Sequence, residues 1–326
     1  MQKRLLIFGG EGYIGRVVQD ELSQKDYQCV SYDNLLYEKN KIKYLKNNKN
    51  RSIIFGDIGD LKKIKKVIKN FNYVLILAGL VGDPITKKYP FISKKINENY
   101  IKKLVDACLK SNIERLIFVS TCSNYGISKN TYKLKENAPL RPISLYAKSK
   151  VKIEKYILSK KFKTNKICTI LRFATAFGSS PRMRFDLTLN EFVKTMFENK
   201  TLEVYDKDTW RPYCHVKDFA KIIDKVFKGN KNKVNFEVYN AGSSKNNFTK
   251  LMIVKKINKF FKNREKVKFV DNSKDMRNYE VNFDKIKHKL HFNSNWTLEK
   301  GIKEIVLNLK KQRYPKSNNG NYKIYN

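Results

Sequence analysis

The chain opens on Lys-Arg-Leu-Leu-Ile-Phe-Gly-Gly-Glu-Gly-Tyr-Ile-Gly, residues 3–15. Residues 5–8 are an apolar run with the character of a buried parallel strand. Glycines follow at 9, 10, 12 and 15. An amphipathic helical pattern starts behind them, with Val17, Val18 and Leu22 on one side and Arg16, Gln19 and Asp20 on the other. Strand, glycine turn and helix together offer free backbone N–H groups to a phosphate. Gly9 can take the reversal of the chain, Gly12 lets the backbone approach a pyrophosphate, and Gly15 lets the helix pack on the strand. Tyr13 and Ile14 lie in the same turn and belong to the same candidate site. The spacing fits both GxGxxG (10, 12, 15) and GxxGxxG (9, 12, 15).

A second strand is expected over residues 28–32, with Asp33 at its end, 24 residues beyond Gly9. A carboxylate there can hold the hydroxyls of an adenosine ribose and would repel a 2′-phosphate, so the expected cofactor is NAD rather than NADP.

The chain has 326 residues, 41% of them hydrophobic, enough for one large domain or two closely joined ones. No apolar run is long enough to span a membrane. The first strand begins so early that no signal peptide is expected. Cysteines at 29, 108, 122, 168 and 214 form no CxxC pair, and the three histidines make no metal-spaced cluster with them. A reduced, cytoplasmic protein without structural zinc, other metal or disulfides is expected. The net charge of +39 comes almost entirely from lysine, spread along the whole chain. A solvated lysine surface accounts for it without a specific nucleic-acid partner. The arginines are more telling, because Arg172, Arg182, Arg184 and Arg211 fall within 40 residues.

Apolar runs at 52–55, 73–77, 116–120 and 167–171 read as further strands, alternating with helical patterns at 61–69, 92–110 and 145–160. This predicts an α/β, Rossmann-type doubly wound parallel sheet, with ligands at the carboxyl ends of the strands. Residues 1–175 would form the NAD-binding domain, which also receives segments around 213–245. Residues 176–309 would form a smaller, interleaved substrate-binding region, and 310–326 a flexible tail. Within the second half, residues 173–186 read as a loop. Short strands are expected at 202–205 and 237–240, and helices at 187–197, 216–227, 249–261 and 298–309.

Thr121, Tyr146 and Lys150 carry the chemistry. Tyr146 and Lys150 are four apart in a helical stretch and share one face. A tyrosine acting as a base near neutrality needs its pKa, normally about 10, lowered by roughly 3 units, or about 4 kcal/mol. An ammonium about 4 Å away supplies roughly that at an effective dielectric near 20. Thr121 can hydrogen-bond the substrate hydroxyl that Tyr146 deprotonates.

With the glycine turn and Asp33, this constellation resembles the short-chain dehydrogenase/reductase superfamily. The form it resembles is the extended, sugar-nucleotide-modifying one, the NAD-dependent epimerase/dehydratase family, over residues 3–309. The resemblance implies that Thr121, Tyr146 and Lys150 are catalytic. It implies that Asp33 and Asn34 hold the adenosine ribose, Asp57 and Ile58 lie at the adenine side, and Leu77, Ala78 and Gly79 line the cofactor. Asn97 matches a helix asparagine near the cofactor. Trp-Arg-Pro-Tyr-Cys-His-Val-Lys-Asp (210–218) resembles the family's Arg-Asp-Tyr-Ile-His-Val-x-Asp stretch. Arg211 would there pair with a diphosphate, while His215 and Asp218 would be structural. Ser-Pro-Arg-Met-Arg-Phe-Asp-Leu (180–187), with Arg182 and Arg184, would lie over a nucleotide-diphosphate sugar. Val81, Ser123, Thr175, Asn190 and Arg277 complete the candidate substrate contacts. Family members commonly pair through helices at 92–110 and 145–160, so a homodimer is expected.

One position discriminates among reactions. Two residues after Thr121, the family's sugar 4,6-dehydratases carry a glutamate and its 3,5-epimerases a cysteine. This chain has Cys122 and then Ser123. The remaining chemistry is oxidation or reduction at one hydroxyl, most plausibly carbon 4, as a 4-epimerase or 4-dehydrogenase in bacterial surface-polysaccharide biosynthesis. A ketoreductase or dehydratase of the same family, or a non-catalytic RNA-binding or regulatory protein on the same fold, are the alternatives. Asn124, where valine is usual, and Thr175, where asparagine is common, depart from the family pattern.

Overall fold

In the computed structural model, which describes residues 2–38, 50–128, 132–261, 266–271, 277–314, 320–321 and 323–324, strand follows helix as the apolar periodicity dictates. In chain order the elements begin with β1 (Lys3–Phe8), α1 (Tyr13–Ser23), β2 (Tyr27–Asp33), β3 (Arg51–Phe55), α2 (Leu61–Ile68) and β4 (Tyr73–Ile76). Two short helices follow, α3 (Asp83–Lys88) and α4 (Pro90–Lys94), then a π-helical turn (Lys95–Tyr100) leading into α5 (Ile101–Leu109). Next come β5 (Arg115–Thr121), α6 (Leu145–Leu158), β6 (Ile167–Phe173), β7 (Thr175–Phe177), α7 (Thr188–Phe197), β8 (Leu202–Tyr205) and β9 (Trp210–His215). The chain continues through α8 (Val216–Lys228), α9 (Lys231–Val234), β10 (Glu237–Ala241), β11 (Asn247–Thr249), α10 (Lys250–Ile257), β12 (Val267–Val270), α11 (Asp284–Lys289) and α12 (Leu298–Lys310).

The main sheet has seven strands in the order β10-β6-β5-β4-β1-β2-β3, every pair parallel. Its near-continuous burial explains why these strands read as apolar runs rather than alternating ones. Val18 and Leu22 of α1 join Phe219, Ile222 and Ile223 of α8 on one face. Ile64 and Ile68 of α2, Leu104 and Val105 of α5, and Ile153 and Ile157 of α6 cover the other. Strand order reverses between β1 and β4, and a crevice opens at their carboxyl ends. Two small sheets, β11-β9-β7 and β12-β8, pack with α7, α10 and α12 into a third apolar cluster. That cluster also contains Tyr13 and Val17 of α1, so it is fused to the main sheet at the glycine turn.

Several expectations need correction. The stretch 173–186 is not all loop, because β7 forms there by pairing with β9. A three-residue strand has no local signature, and the partner strand β9 is disguised by Pro212, which pairs opposite Asn247. Residues 92–110 are not one regular helix but are interrupted by the π-helical turn, a distortion frequent near functional sites. The described part of the expected flexible tail is held. Tyr314 packs edge-on against Phe185 and donates to Ser179 Oγ at 2.9 Å, and Asn321 is buried.

Beneath the active-site end of β5 lies a buried ion pair. Arg172 of β6 meets Glu154 of α6 at 2.8 Å, both side chains almost wholly enclosed. Ser120 donates to the same carboxylate, and so does Asn124 at 2.7 Å. Arg172 Nη1 reaches the Tyr125 hydroxyl at 3.1 Å and the Glu136 carbonyl at 2.9 Å. Removing one partner of such a pair strands a charge in the interior. Arg172→Met should therefore cost about 3–5 kcal/mol in chemical denaturation. Arg172→Met with Glu154→Leu should cost less than the two single changes summed.

Candidate active site

The glycine turn is shaped by contact from both sides. Gly9 has φ of +80°, and a Cβ there would sit 2.6 Å from the Ala78 nitrogen, two residues beyond neighbouring β4. A Cβ on Gly15 would strike the Gly10 carbonyl at 2.5 Å. Gly12 differs, since its Cβ would meet only the Gly9 carbonyl at 3.4 Å. Its open side faces the cleft, and it caps α1 without any side-chain hydrogen bond. The first N–H groups of α1, at Tyr13 and Ile14, therefore have no capping side chain.

Asp33 ends β2 and accepts the Glu11 N–H at 3.0 Å and the Leu35 N–H at 2.8 Å. Burial raises its pKa, opposed by those two N–H groups and by the charge of Arg182. Each oxygen keeps a further lone pair for a ribose hydroxyl. Asn34 and Asp57, at the ends of adjacent strands, are bonded to each other at 2.8 Å beside Ile58. Leu77, Ala78 and Gly79 form the opposite wall. These residues fit a dinucleotide: an open helix N-terminus for its diphosphate, carboxylates for its ribose and an apolar wall.

Asn97 does not line the cleft. It sits on the π-helical turn and clips Leu80, accepting its N–H at 2.8 Å and donating to its carbonyl at 2.9 Å. A Cβ on Gly79 would lie 2.8 Å from the Asn97 oxygen, so Asn97 shapes the cofactor wall from behind.

Ser144 caps α6 through the Ala147 N–H at 3.2 Å, placing Tyr146 and Lys150 in the same cleft as Thr121. Thr121 Oγ1 accepts the Ser123 N–H at 3.1 Å. Lys150 Nζ donates to the Val119 carbonyl at 2.7 Å and lies 5.8 Å from the Tyr146 ring centroid. The expectation that Lys150 lowers the Tyr146 pKa is not met. Burial pushes the Tyr146 phenol up, and the cation that opposes this is Arg184. Burial lowers Lys150 itself to about 7, against the pull of Glu154. A lysine turned to a carbonyl and half neutral near pH 7 adds little field at the phenol.

On the substrate side, Ser123 Oγ lies 3.3 Å from Arg277 Nη1 and 3.4 Å from the Tyr279 hydroxyl. Arg277 pairs with Asp83 at 3.0 Å. Arg211 lies over the Tyr279 ring at 5.3 Å and donates to the Trp210 carbonyl at 2.8 Å. Arg184 forks onto Asp186, at 3.0 and 2.6 Å. Val81 and Thr175 complete the lining. Asn190 does not join it. Fully buried, it holds the Gly178 N–H (3.1 Å), the Tyr13 hydroxyl (3.0 Å) and the Arg184 carbonyl (3.0 Å), and so acts as a strut. Arg172 also leaves the expected arginine cluster for the interior ion pair. Arg182 lies nearer the cofactor end than expected, bonded to Glu38 at 2.9 Å.

His215 stacks on Trp296 at 3.9 Å and bonds Glu304 at 2.8 Å, and Asp218 accepts from Ser294, Asn295 and Trp296. Both are structural. Cys122 is buried, its thiol on the Arg172 carbonyl at 3.2 Å and its pKa raised well above normal by desolvation. Among the described residues no group of three potential ligands could hold a metal, and all five cysteines are free and buried. Among them also, no helix is long and apolar enough to cross a membrane.

Reading the sequence alone misses Glu11, Glu38, Asp83, Asp186, Tyr279 and Asn321, all of which line the cleft. Asp186 stands in the quoted 180–187 block, but nothing in the polar tail marks Asn321.

A family model described as the NAD-dependent epimerase/dehydratase family matches residues 5–242, and the chain belongs to that family. It is an enzyme whose cofactor is NAD. The solved UDP-N-acetylglucosamine 4-epimerase of Methanobrevibacter ruminantium, in complex with UDP-N-acetylmuramic acid, is 26% identical with a TM-score of 0.85, over 95% of this chain and 99% of that one. The low-salt glycan biosynthesis protein Agl12 of Haloferax volcanii is 27% identical over 93% of this chain and 97% of its own length. The dTDP-D-glucose 4,6-dehydratase of Mus musculus is 26% identical over 93% and 88%.

Lys150 makes stability pH-dependent. Its pKa is about 7 in the folded, cofactor-free chain against an ordinary 10.5, so the unfolded chain binds that proton more tightly. Stability is then lost as pH falls from about 10.5 to about 7, and the loss is constant below. Lys150→Met should stabilise the cofactor-free protein, on the order of 4 kcal/mol at pH 7 and little near pH 10.5, read from denaturation midpoints at both values.

Proposed function

We propose that this enzyme is an NAD-dependent nucleotide-sugar 4-epimerase working through Thr121, Tyr146 and Lys150. One observation carries the choice of reaction. The position two residues after Thr121 presents Ser123 to the cleft, and Cys122 is buried on a backbone carbonyl. No carboxylate stands where dehydration would need an acid, and no thiolate stands where proton abstraction at carbon 3 or 5 would need a base.

The remaining steps fall to this chain's own side chains. Tyr146 takes the proton of the sugar hydroxyl as carbon 4 is oxidised and returns it when the carbon is reduced. Arg184 supplies a permanent positive field on that phenol, and Lys150, titrating near neutrality, adds a second when protonated. Thr121 orients the hydroxyl. Arg277, beside Ser123, and Arg211, over the Tyr279 ring, suit the diphosphate of the substrate, each already fixed by a neighbour. The glycine turn, Asp33 and Asp57 would hold NAD, which would accept the hydride and, once reduced, give it back. The similarity to Agl12, a glycan biosynthesis protein, supports a product destined for glycans. A homodimer is supported by exposed apolar side chains on the helices expected to pair, Phe91 and Ile92 on α4 and Ile143 and Leu145 at the start of α6.

The test mixes purified protein with a panel of nucleoside-diphosphate hexoses and reads the product by NMR and absorbance. An inverted carbon 4 without lasting NADH is expected with at least one sugar. Lasting NADH would make the enzyme a net dehydrogenase instead. Tyr146→Phe should lower turnover by about 10²–10⁴-fold while cofactor binding persists. Full activity in that variant would refute the assignment of Tyr146.

A further inference from the structure

Tyr13 belongs to the glycine turn by its backbone and to another part of the cleft by its side chain. It is the first residue of α1, and its ring lies in the third apolar cluster with Val17 and Phe177. A phenylalanine ring would fill that space as well, so the hydroxyl needs its own explanation. It donates to the Gly178 carbonyl at 2.7 Å and accepts from Asn190 Nδ2 at 3.0 Å. The Gly178 N–H donates back to Asn190 Oδ1 at 3.1 Å, which closes the three groups into a ring of hydrogen bonds. Tyr13 and Asn190 are both buried, so water does not compete for these bonds.

The ring fixes the loop 178–186 at both ends. Gly178 marks its root behind β7, with φ of +109° and no room for a side chain, since a Cβ there would strike the His215 ring at 2.2 Å. Asn190 spends its other amide proton on the Arg184 carbonyl at 3.0 Å. Between these points Ser180 donates to the Tyr13 carbonyl at 2.7 Å and accepts the Arg182 N–H at 3.3 Å. One residue of the glycine turn therefore anchors the stretch that brings Arg182 and Arg184 to the cleft. Arg184 bears on the reaction because it is the cation opposing the rise in the Tyr146 pKa. The other titratable groups set about that phenol are Asp83 of α3, Tyr37 behind β2 and Lys150 of α6.

We propose that the Tyr13 hydroxyl is a positioning group for the sugar-nucleotide side of the cleft, hanging the loop of Arg182 and Arg184 on the turn that would receive the cofactor. The two ligand sites then share one anchor. Tyr13 serves the cofactor side through its backbone and the substrate loop through its phenol. This deepens the 4-epimerase reading and rests on it for the identity of the ligand that the loop faces.

Tyr13→Phe removes the hydroxyl and keeps the backbone and the ring. NAD-loaded wild-type and variant proteins are compared on one panel of nucleoside-diphosphate hexoses, with binding read by calorimetry and inversion by NMR. Tyr13→Phe should weaken sugar-nucleotide binding by about tenfold, the size of a lost buried hydrogen bond, with NAD affinity nearly unchanged. A base acts only when deprotonated, so the rate climbs with pH through the Tyr146 pKa. A loop that lets Arg184 drift raises that pKa, and the acid limb of kcat should move to higher pH. Loss of stability alone would lower the melting temperature and leave the binding constant and the limb in place. Ser180→Ala, which removes the second tie and leaves Tyr13 intact, should move both in the same direction by less, and it decides the matter where Tyr13→Phe does not fold. Unchanged sugar-nucleotide binding, or an unmoved limb where the enzyme turns over, overturns the proposal. So does a fall in NAD affinity as large as the fall in substrate affinity. Wild-type inversion at carbon 4 with unaltered variants keeps the epimerase and removes the anchor. A sugar nucleotide that the wild type binds without inverting, and that the variants bind more weakly, keeps the anchor and removes the epimerase.

Discussion

The buried pairing of Arg172 with Glu154 holds together the part of the cleft that carries Thr121, Tyr146 and Lys150. Glu154 lies one helical turn beyond Lys150, which lies one turn beyond Tyr146, so all three share a face of α6. Arg172 lies on β6, hydrogen-bonded in register to β5 with Ser120 opposite it. Ser120 adjoins Thr121 and donates to the same carboxylate. One ion pair thus locks the helix carrying Tyr146 to the strand carrying Thr121. Asn124, which departs from the usual valine, also reaches Glu154, so this chain adds a polar tie at that point. A buried ion pair is a poor source of stability compared with apolar packing, but it tolerates little rotation of the helix. Positional precision of that kind is what a proton transfer needs.

The cleft handles charge differently from the surface. The outer face carries a large excess of lysine, solvated and screened. Inside, each cleft arginine is fixed by a neighbour: Arg182 by Glu38, Arg184 by Asp186, Arg277 by Asp83, and Arg211 by a tyrosine ring and a carbonyl. Such pairing offsets the mutual repulsion of the cations and fixes their direction. The same low-dielectric setting suppresses ionisation where no partner is at hand. Tyr146 and Cys122 are both pushed up by burial, and Lys150 is brought down. The state of the Tyr146 phenol therefore depends on what occupies the cleft.

Much of the parallel sheet was legible, because strands buried on both faces are apolar runs and their helices carry a one-sided stripe. The glycine turn, Asp33, Asp57, Thr121, Tyr146 and Lys150 were legible for a related reason: each stands at a strand's end or on a marked helix face. Asn97 and Asn190 were placed near the right residues but in the wrong layer, as struts behind the cleft. Sequence spacing says that an amide is close to a site, not which way it points. β7 and β9, which contains Pro212, had no local signal, since each exists only through its partner. Glu38 and Asn321 were invisible because they enter the site from opposite directions along the chain.

The sequence alone determined the alternation of strand and helix, the dinucleotide-binding turn, the acidic end of β2 and the tyrosine–lysine face. Hydrophobic period and glycine placement act over a few residues, and those are properties a chain carries before it folds. Only the tertiary structure decided that Arg172 is interior while Arg182 lines the cleft, that Arg184 is the cation opposing the rise in the Tyr146 pKa, and that Asn321 reaches the cleft. Those outcomes depend on distances between residues far apart in sequence and on the desolvation that packing imposes on them. Neither quantity is set until the chain has closed on itself.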